Sequence, residues 1–389
     1  MSGLHYRTAG ESHGPALVAL VEGLPRGLNV DEDWINGELR RRQGGYGRGA
    51  RQRIETDSVQ ILAGVRRGCT TGGPVVLQII NRDSRLDEAP AVHRPRPGHA
   101  DLAGSIKWLT KDCRETLERA SARETAARTA AGALAGCLLR EFGIQSCALV
   151  MSIGSAEAQV NWSLPIEELK RLRDASDVYC PDTSASDAMR ALIRQAKIDG
   201  DTLGGLIETR VFGCPPGLGS CVQWTQKLDG RIARAVMSVQ AIKSVEIGLG
   251  KDVAFHPGSR VHDPIEFDRS QLPSPNLGFV RPTNNAGGLE GGMTNGAPLV
   301  VRAAMKPIAT LLKPLPSVDL QTHQPEPAVY ERSDVCAVPA ASVILEHVVA
   351  FEVASAMVEK FAGDSFMEMR ANYDEFLRAA RALATRPGA

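Results

Sequence analysis

Apolar residues recur along this chain with two periods. Leu17 to Leu24 is a short, partly β-branched run broken by Pro25 and Gly27, which predicts a strand leading into a turn. Val59 to Val65 and Val75 to Ile80 predict two further strands, and a fourth apolar strand follows Gly143. Elsewhere the spacing is helical. Asp31 to Arg42 predicts a helix capped by Asp31, with Ile35 and Leu39 one turn apart. Lys111 to Phe142 has few breakers and is rich in Ala, Leu, Arg and Glu, so it predicts one long helix. Two helices are expected between Ala156 and Gly200. From Gly204 onward glycine-rich strands and turns take over, with a helix expected over Arg231 to Ile242 and glycine clusters at Gly287 to Gly296. Near the C-terminus, Ile344, Val348, Phe351, Ser355, Val358 and Phe361 keep helical spacing, as do Phe366, Met369, Tyr373, Phe376 and Ala380. No internal repeat, long linker or sustained charge run interrupts the pattern. Residues 1–389 are therefore expected to form a single α+β domain.

Composition narrows the function classes. A chain of 389 residues, 43% of them hydrophobic, has enough apolar material for one large core, so intrinsic disorder is not expected. Its 45 basic and 45 acidic residues cancel, which removes any global field that would draw in nucleic acid. The eight cysteines are scattered and none forms a C-x-x-C pair, so no metal site is expected and a reduced, cytoplasmic setting fits best. The first residues lack the apolar core of a signal peptide, and no run approaches the ~18 unbroken apolar residues of a membrane span. Neither secretion nor a membrane partner is expected.

Against that neutral background one segment stands out. Between Leu39 and Arg53 the chain places six arginines and four glycines. Arginine offers a planar fork of donors suited to carboxylate and phosphate oxygens, and glycine lets backbone N–H groups approach as well. Other segments carry complementary chemistry. G-E-S-H-G at Gly10 to Gly14 exposes His13 in a loop, where it reads either as a proton-transfer group or as a hydrogen-bonded loop residue. R-P-R-P-G-H-A-D at Arg94 to Asp101 presents Arg94, Arg96 and His99 from a proline-stiffened loop that could equally be a rigid surface connection. Arg119 and Arg123 fall at i,i+4 on the expected long helix, flanked by the small residues Ala120, Ser121 and Ala122. Tyr330 to Asp334 reads Y-E-R-S-D, setting Arg332 beside Asp334. No metal-ligand cluster or nucleophile elbow accompanies them. The set suits proton-assisted chemistry on a small polyanion.

Ten motifs in order carry a resemblance. G-E-S-H-G-P, R-R-R-Q-G-G-Y-G-R-G, R-P-G-H-A-D-L, the S-A-R-E-T run, D-G-D-T-L-G-G, G-L-G-S, S-V-Q-A-I-K-S-V-E-I-G, E-G-G-M-T-N-G, K-P-I-A-T and E-R-S-D resemble the chorismate synthase family over nearly the whole chain. The resemblance implies a β-α-β sandwich with a helical layer between antiparallel sheets, and a homotetramer. It implies conversion of 5-enolpyruvylshikimate 3-phosphate to chorismate, the last common step towards the aromatic amino acids, by a 1,4-elimination of phosphate and a ring hydrogen. Reduced FMN is implied as cofactor, with NADPH as an indirect reductant at Arg42 and Arg48.

Position by position, His99 resembles the acid for the leaving phosphate, His13 the group that sets the flavin's protonation state, and Asp334 the carboxylate that aids proton removal. Ser12, Arg42, Arg48, Arg51, Arg96, Arg123 and Arg332 occupy the substrate positions. Ser121, Ala122, Arg123, Gln240, Ala241, Gly291, Lys306, Pro307, Ile308, Ala309, Thr310 and Arg332 occupy the FMN positions. The chain departs from the family at Ala120, where a serine is frequent, and at Gln240, where asparagine is common. Two other classes remain open at this point. G-G-Y-G-R-G superficially resembles an RNA-binding Arg/Gly box, and a different flavoprotein reductase could use the same loops for a pyridine nucleotide.

Overall fold

The computed structural model describes residues 3–49, 55–331 and 333–385, apart from the side chains of Ala122 and Ala384. Two antiparallel sheets enclose a layer of helices. The first joins β1 (His5–Ala9), β2 (Ala16–Glu22), β3 (Gln60–Ala63) and β4 (Val75–Ile80) in the order β1-β2-β4-β3. Its register pairs Leu17 with Ile79 and Ala19 with Leu77. Leu17, Ala19, Val21, Val75, Leu77 and Ile79 consequently share one buried face, as the two-residue side-chain period requires.

The second sheet joins β5 (Gln145–Ile153), β6 (Ala156–Glu157), β7 (Gly205–Phe212), β8 (Ile242–Ile247) and β9 (Leu299–Met305) in the order β8-β9-β7-β5-β6. Strand β5 is covered on both faces, so it reads as a continuous apolar run rather than an alternating one. Ala148 and Val150 belong to the main core, while Cys147 and Leu149 pack with Leu169 in a smaller cluster.

The helices between the sheets are α1 (Glu32–Gln43), α4 (Thr125–Glu141), α7 (Leu228–Met237) and α8 (Val338–Phe361); α2 (Asp101–Trp108), α3 (Arg114–Arg119), α5 (Ile166–Asp174), α6 (Thr183–Asp199) and α9 (Phe366–Thr385) complete the set used below. Helix α4 lies on β2 and β4, α8 lies on β5 and β7, and the two helices pack on each other. Their backbones approach very closely: a Cβ on Gly132 of α4 would stand 2.3 Å from the His347 carbonyl oxygen of α8. Helix α8 is long and apolar enough to cross a membrane, yet 89% of that stretch is buried inside the molecule. It is the core helix. The spacing predicted one packing face for it, but Ala341, Val343, Leu345, Val349 and Val353 are buried too, because protein surrounds it on all sides.

Two expected elements are redrawn. The predicted helix over Lys111 to Phe142 is broken into α3, a short 3₁₀ turn at Ala122–Glu124, and α4. Tertiary contacts override propensity there: Arg119 donates to the carbonyls of Gly10 and Thr8, at 2.8 and 3.1 Å, whereas Arg123 is drawn inward. Arg119 and Arg123 therefore do not share a helix face. The helix expected over Arg231 to Ile242 is instead Leu228–Met237. Ala241 adopts a left-handed φ of 68°, and the alternating I-K-S-V-E-I that follows forms β8.

Candidate active site

Segments distant in sequence converge in three hydrogen-bonded groups, with Arg42 of the second coupled by charge to Arg48 and Asp334. The β1–β2 loop brings Ser12 and His13. His13 Nδ1 lies 2.7 Å from Glu118 Oε2, its backbone N–H donates to the same oxygen at 3.0 Å, and Nε2 stands 3.6 Å from Asp83. Glu118 also receives Arg114 at 3.3 Å. Burial pushes the Glu118 carboxyl upward, but His13 and Arg114 outweigh that and hold it below the ordinary range. The break between α3 and α4 places the Ser121 hydroxyl 3.1 Å from that of Ser12.

Asn81 ties this loop to the arginines. Its Nδ2 donates to the Gly14 carbonyl at 2.8 Å, and its Oδ1 accepts from Arg123 Nε at 2.9 Å. Arg123 also pairs with Asp57 at 2.5 Å and reaches Glu55 at 3.4 Å. Arg42, from the last turn of α1, meets the second oxygen of Asp57 at 3.3 Å and donates to Thr125 Oγ1 at 2.8 Å. Burial, with Arg123 and Arg48 nearby, overrides the attraction of Asp57 and lowers the Arg42 pKa to about 9, so Arg42 remains a cation at neutral pH. The glycine loop after α1 then delivers Arg48, whose Nη1 lies 3.0 Å from Asp334; the Gly49 N–H donates to the same carboxylate at 2.6 Å. Arg48 Nε is buried without a partner among the described residues.

A third group surrounds Asp101, the first residue of α2. Its carboxylate accepts from Arg96 Nε at 2.8 Å, Arg96 Nη2 at 3.1 Å and the Arg96 N–H at 3.0 Å, and lies 2.5 Å from His99 Nδ1. Burial raises the Asp101 pKa, but the hydrogen bonds from His99 and Arg96 prevail and hold it well below the usual carboxylate range. Arg96 Nη2 also stands 2.9 Å from Nδ1. One nitrogen cannot donate to Asp101 and accept from Arg96 at once, and the carboxylate is the stronger acceptor, so Nδ1 carries the proton. Nε2 is then the ring nitrogen open to proton exchange. Arg96 Nη1 donates to Thr310 Oγ1 at 2.9 Å, and the Thr310 carbonyl accepts from Ser333, next to Asp334, at 3.4 Å. His99 and Asp334 thus sit on one connected chain.

Of the positions read as cofactor contacts, Lys306 to Thr310 run beside this chain, while Ser121, Arg123 and Gln240 belong to the groups around Ser12, Asp57 and Glu124. Gln240 Nε2 donates to Glu124, adjacent to Arg123, at 3.1 Å, while its Oε1 is buried with no partner among the described residues. The Ala241 carbonyl accepts from the Lys306 N–H at 2.9 Å, and Lys306 Nζ donates to the Gly98 carbonyl at 2.8 Å. Burial, then Lys243 and Arg96, lower the Lys306 pKa. Pro307, Ile308 and Ala309 carry the chain on to Thr310, and the Ile308 carbonyl accepts from Thr202 at 2.8 Å. Gly291 sits instead in the turn between the paired strands Leu289–Glu290 and Met293–Thr294, where a Cβ would meet only Cys221, at 4.0 Å. Arg51 and Arg332 lie outside the described residues, as does the side chain of Ala122.

The family model described as chorismate synthase matches residues 4–358. The chain belongs to the chorismate synthase family. It is 54% identical to the chorismate synthase of Desulforamulus reducens, over 97% of this chain and 99% of that one, and 53% identical to that of Geobacter sulfurreducens, over 98% and 100%. A solved structure titled "Crystal Structure of Chorismate Synthase" superposes with a TM-score of 0.80 at 39% identity, covering 98% of this chain and 99% of that one. The α+β sandwich seen here is therefore the chorismate synthase fold.

Sequence reasoning named the cations of this cluster and Asp334, but not its other carboxylates. Glu55, Asp57, Asp101 and Glu118 are all buried and each engages a basic group of the cluster. Asn81, just past β4, bridges two loops. Only Asp101 had a local signal, two residues after His99. The others lie on segments whose approach to the arginines depends on sheet and helix packing.

Proposed function

We propose that this chain converts 5-enolpyruvylshikimate 3-phosphate to chorismate, as a carbon-oxygen lyase acting on a phosphate. The observation that carries this reading is that the groups holding His13, Arg42 and Arg123 and those holding His99, Arg96, Arg48 and Asp334 are coupled by charge through Arg42. Ser12, the four arginines, and Arg51 and Arg332 would hold the substrate's phosphate and two carboxylates. His99, its Nδ1 tied to Asp101, gives the Nε2 proton to the leaving phosphate oxygen as the C–O bond breaks. Asp101 orients that ring and stabilises its charged form. Asp334, held by Arg48 and the Gly49 N–H, aids removal of the ring hydrogen. His13, tied to Glu118, sets the protonation of the cofactor.

The residues present fit reduced FMN. Gln240 Oε1 is an orphaned buried acceptor suited to an N–H of a flavin ring, and Arg48 Nε an orphaned donor suited to an anionic oxygen. Ser121, Ala122, Arg123, Gln240, Ala241, Gly291, Lys306, Pro307, Ile308, Ala309, Thr310 and Arg332 would hold it. Bound, it supplies electron density to the reacting ring and an acceptor for the departing hydrogen, which a side-chain base alone would remove only over a high barrier. NADPH would act as an indirect reductant, at Arg42 and Arg48. We further read residues 1–389 as one domain that forms a cytoplasmic homotetramer.

The test is anaerobic turnover with photoreduced FMN and the enolpyruvyl substrate. Chorismate should appear, and its absence would refute the assignment. His99→Ala should slow turnover by ~10²–10⁴ with KM little changed. An unaffected rate would remove His99 from the acid role.

A further inference from the structure

Behind the active site lies a second buried charge cluster, made by Glu38, Arg41, Arg173, Glu346 and His347. Glu346 Oε2 accepts from Arg41 Nη2 at 3.0 Å, Arg173 Nη1 at 3.1 Å and the Ala148 N–H at 3.1 Å. Glu38 pairs with Arg41 and lies 2.7 Å from His347 Nε2. His347 is 1% exposed, stands edge-on to Trp34, and has no partner for Nδ1 among the described residues. His347 Nε2 faces the Glu38 carboxylate, whereas an N–H on Nδ1 would face no acceptor among the described residues. Asp174 covers the outer side of Arg173 at 2.8 Å.

Such a cluster is a poor stabilising device, since well-packed apolar residues often serve equally well. Its place in the fold suggests another use. Arg41 and Arg42 are neighbours on α1: Arg41 is clamped to α8, and Arg42 enters the active-site cluster. The Arg41 carbonyl accepts from Tyr179 Oη at 2.6 Å and from the Gly44 N–H at 3.1 Å, where α1 ends. Beyond it the Tyr46 N–H donates to the Asp177 carbonyl at 2.6 Å, and Arg48 then meets Asp334. The clamp therefore fixes the exit from which Arg48 is delivered.

We propose that Arg41, Glu346 and Arg173 are positioning residues that hold Arg42 and Arg48 at the anion-binding end of the site, an inference that rests on the reaction proposed above. Full-length wild type and Glu346→Gln are compared by anaerobic turnover with reduced FMN and, independently of turnover, by calorimetric binding of inorganic phosphate. Glu346→Gln keeps the shape but removes the charge shared by both guanidiniums. The expected result is a KM and a phosphate Kd each raised about tenfold, with kcat within about twofold and the folded fraction unchanged. Unaltered KM and phosphate affinity, or kcat falling in step with the folded fraction, would overturn the proposal. A wild type that makes no chorismate but whose phosphate affinity drops in Glu346→Gln would sink the reaction and support the positioning. Should Glu346→Gln fail to fold, Arg173→Gln carries the same test, with Arg173→Lys expected to restore KM.

Discussion

Replacing Asp101 with asparagine probes a carboxylate that meets four donors. One oxygen faces His99 and Arg96 Nη2 at 2.5 and 3.1 Å; the other faces Arg96 Nε and the Arg96 N–H at 2.8 and 3.0 Å. An amide has a single oxygen, so its NH₂ must point at either the guanidinium or the imidazole. In either orientation a buried guanidinium loses its counter-charge, and breaking such a pair costs about 3–5 kcal/mol. If the NH₂ points at His99, Nδ1 becomes an acceptor and cannot carry its proton, so Nε2 would have to donate from a neutral imidazole, a far weaker acid, with a turnover loss of ~10²–10⁴. Urea unfolding and anaerobic turnover would measure both.

The pH dependence has a definite sign. The Asp101 carboxyl is depressed in the folded state by its hydrogen bonds to His99 and Arg96, which outweigh burial. Its contribution to stability is therefore complete above the ordinary carboxylate value of about 3.9 and is lost as pH falls towards the lower folded-state value. The stability gap between wild type and Asp101→Asn should be full at neutral pH and should narrow below about pH 4. A variant within about 1 kcal/mol of wild type at neutral pH, or a gap that persists undiminished in acid, would refute this account of Asp101.

Asp57→Asn should lower the Tm of the free protein, because Arg42 and Arg123 share that carboxylate; added substrate should raise the Tm of the variant less than that of wild type, and an equal or larger rise would count against Asp57 keeping these arginines aimed at a substrate anion. Gly44→Ala should destabilise although its φ of −70° suits any residue, since the new Cβ would sit 2.5 Å from Tyr179 Oη. Tyr179→Phe, lacking that oxygen, should recover part of the loss, and urea midpoints of the double variant decide it. Gly132→Ala gains about 1 kcal/mol of helix propensity, yet its Cβ would meet the His347 carbonyl of α8 at 2.3 Å, so a net fall in Tm is expected. A rise would show that α4 and α8 can separate freely.

What the sequence made legible follows from where each signal is stored. Strands β2 and β4 show their buried face in a local alternation, and Asp31 caps α1 by accepting from the Trp34 N–H at 2.9 Å. These are contacts within a few residues or along one strand. The break after Arg119 was not legible, because Ala120 to Glu124 are good helix formers and the reasons to stop lie over 100 residues away, in the carbonyls of Gly10 and Thr8 and the hydroxyl of Ser12. The same holds for Asp57, whose role exists only once Arg123 has been folded against it.

The missed carboxylates also change how the arginine-rich loop should be understood. Read along the chain, six arginines in fifteen positions suggest free cations awaiting a polyanion. Folded, such cations cannot stay bare: desolvating a guanidinium costs several kcal/mol unless a carboxylate stands beside it. Arg42 and Arg123 accordingly share Asp57, Arg48 takes Asp334, and Arg96 takes Asp101. In the proposed reaction a bound anion would add to these partners rather than replace them, using donors the carboxylates leave over, such as Arg48 Nε. Because the guanidiniums are already held, little reorganisation opposes binding or the later shift of charge onto the leaving phosphate. The carboxylates that offset the positive charge are thus the same groups that keep it aimed, which is why substitutions at Asp57 or Asp101 should disturb the proposed chemistry as much as substitutions at the arginines themselves.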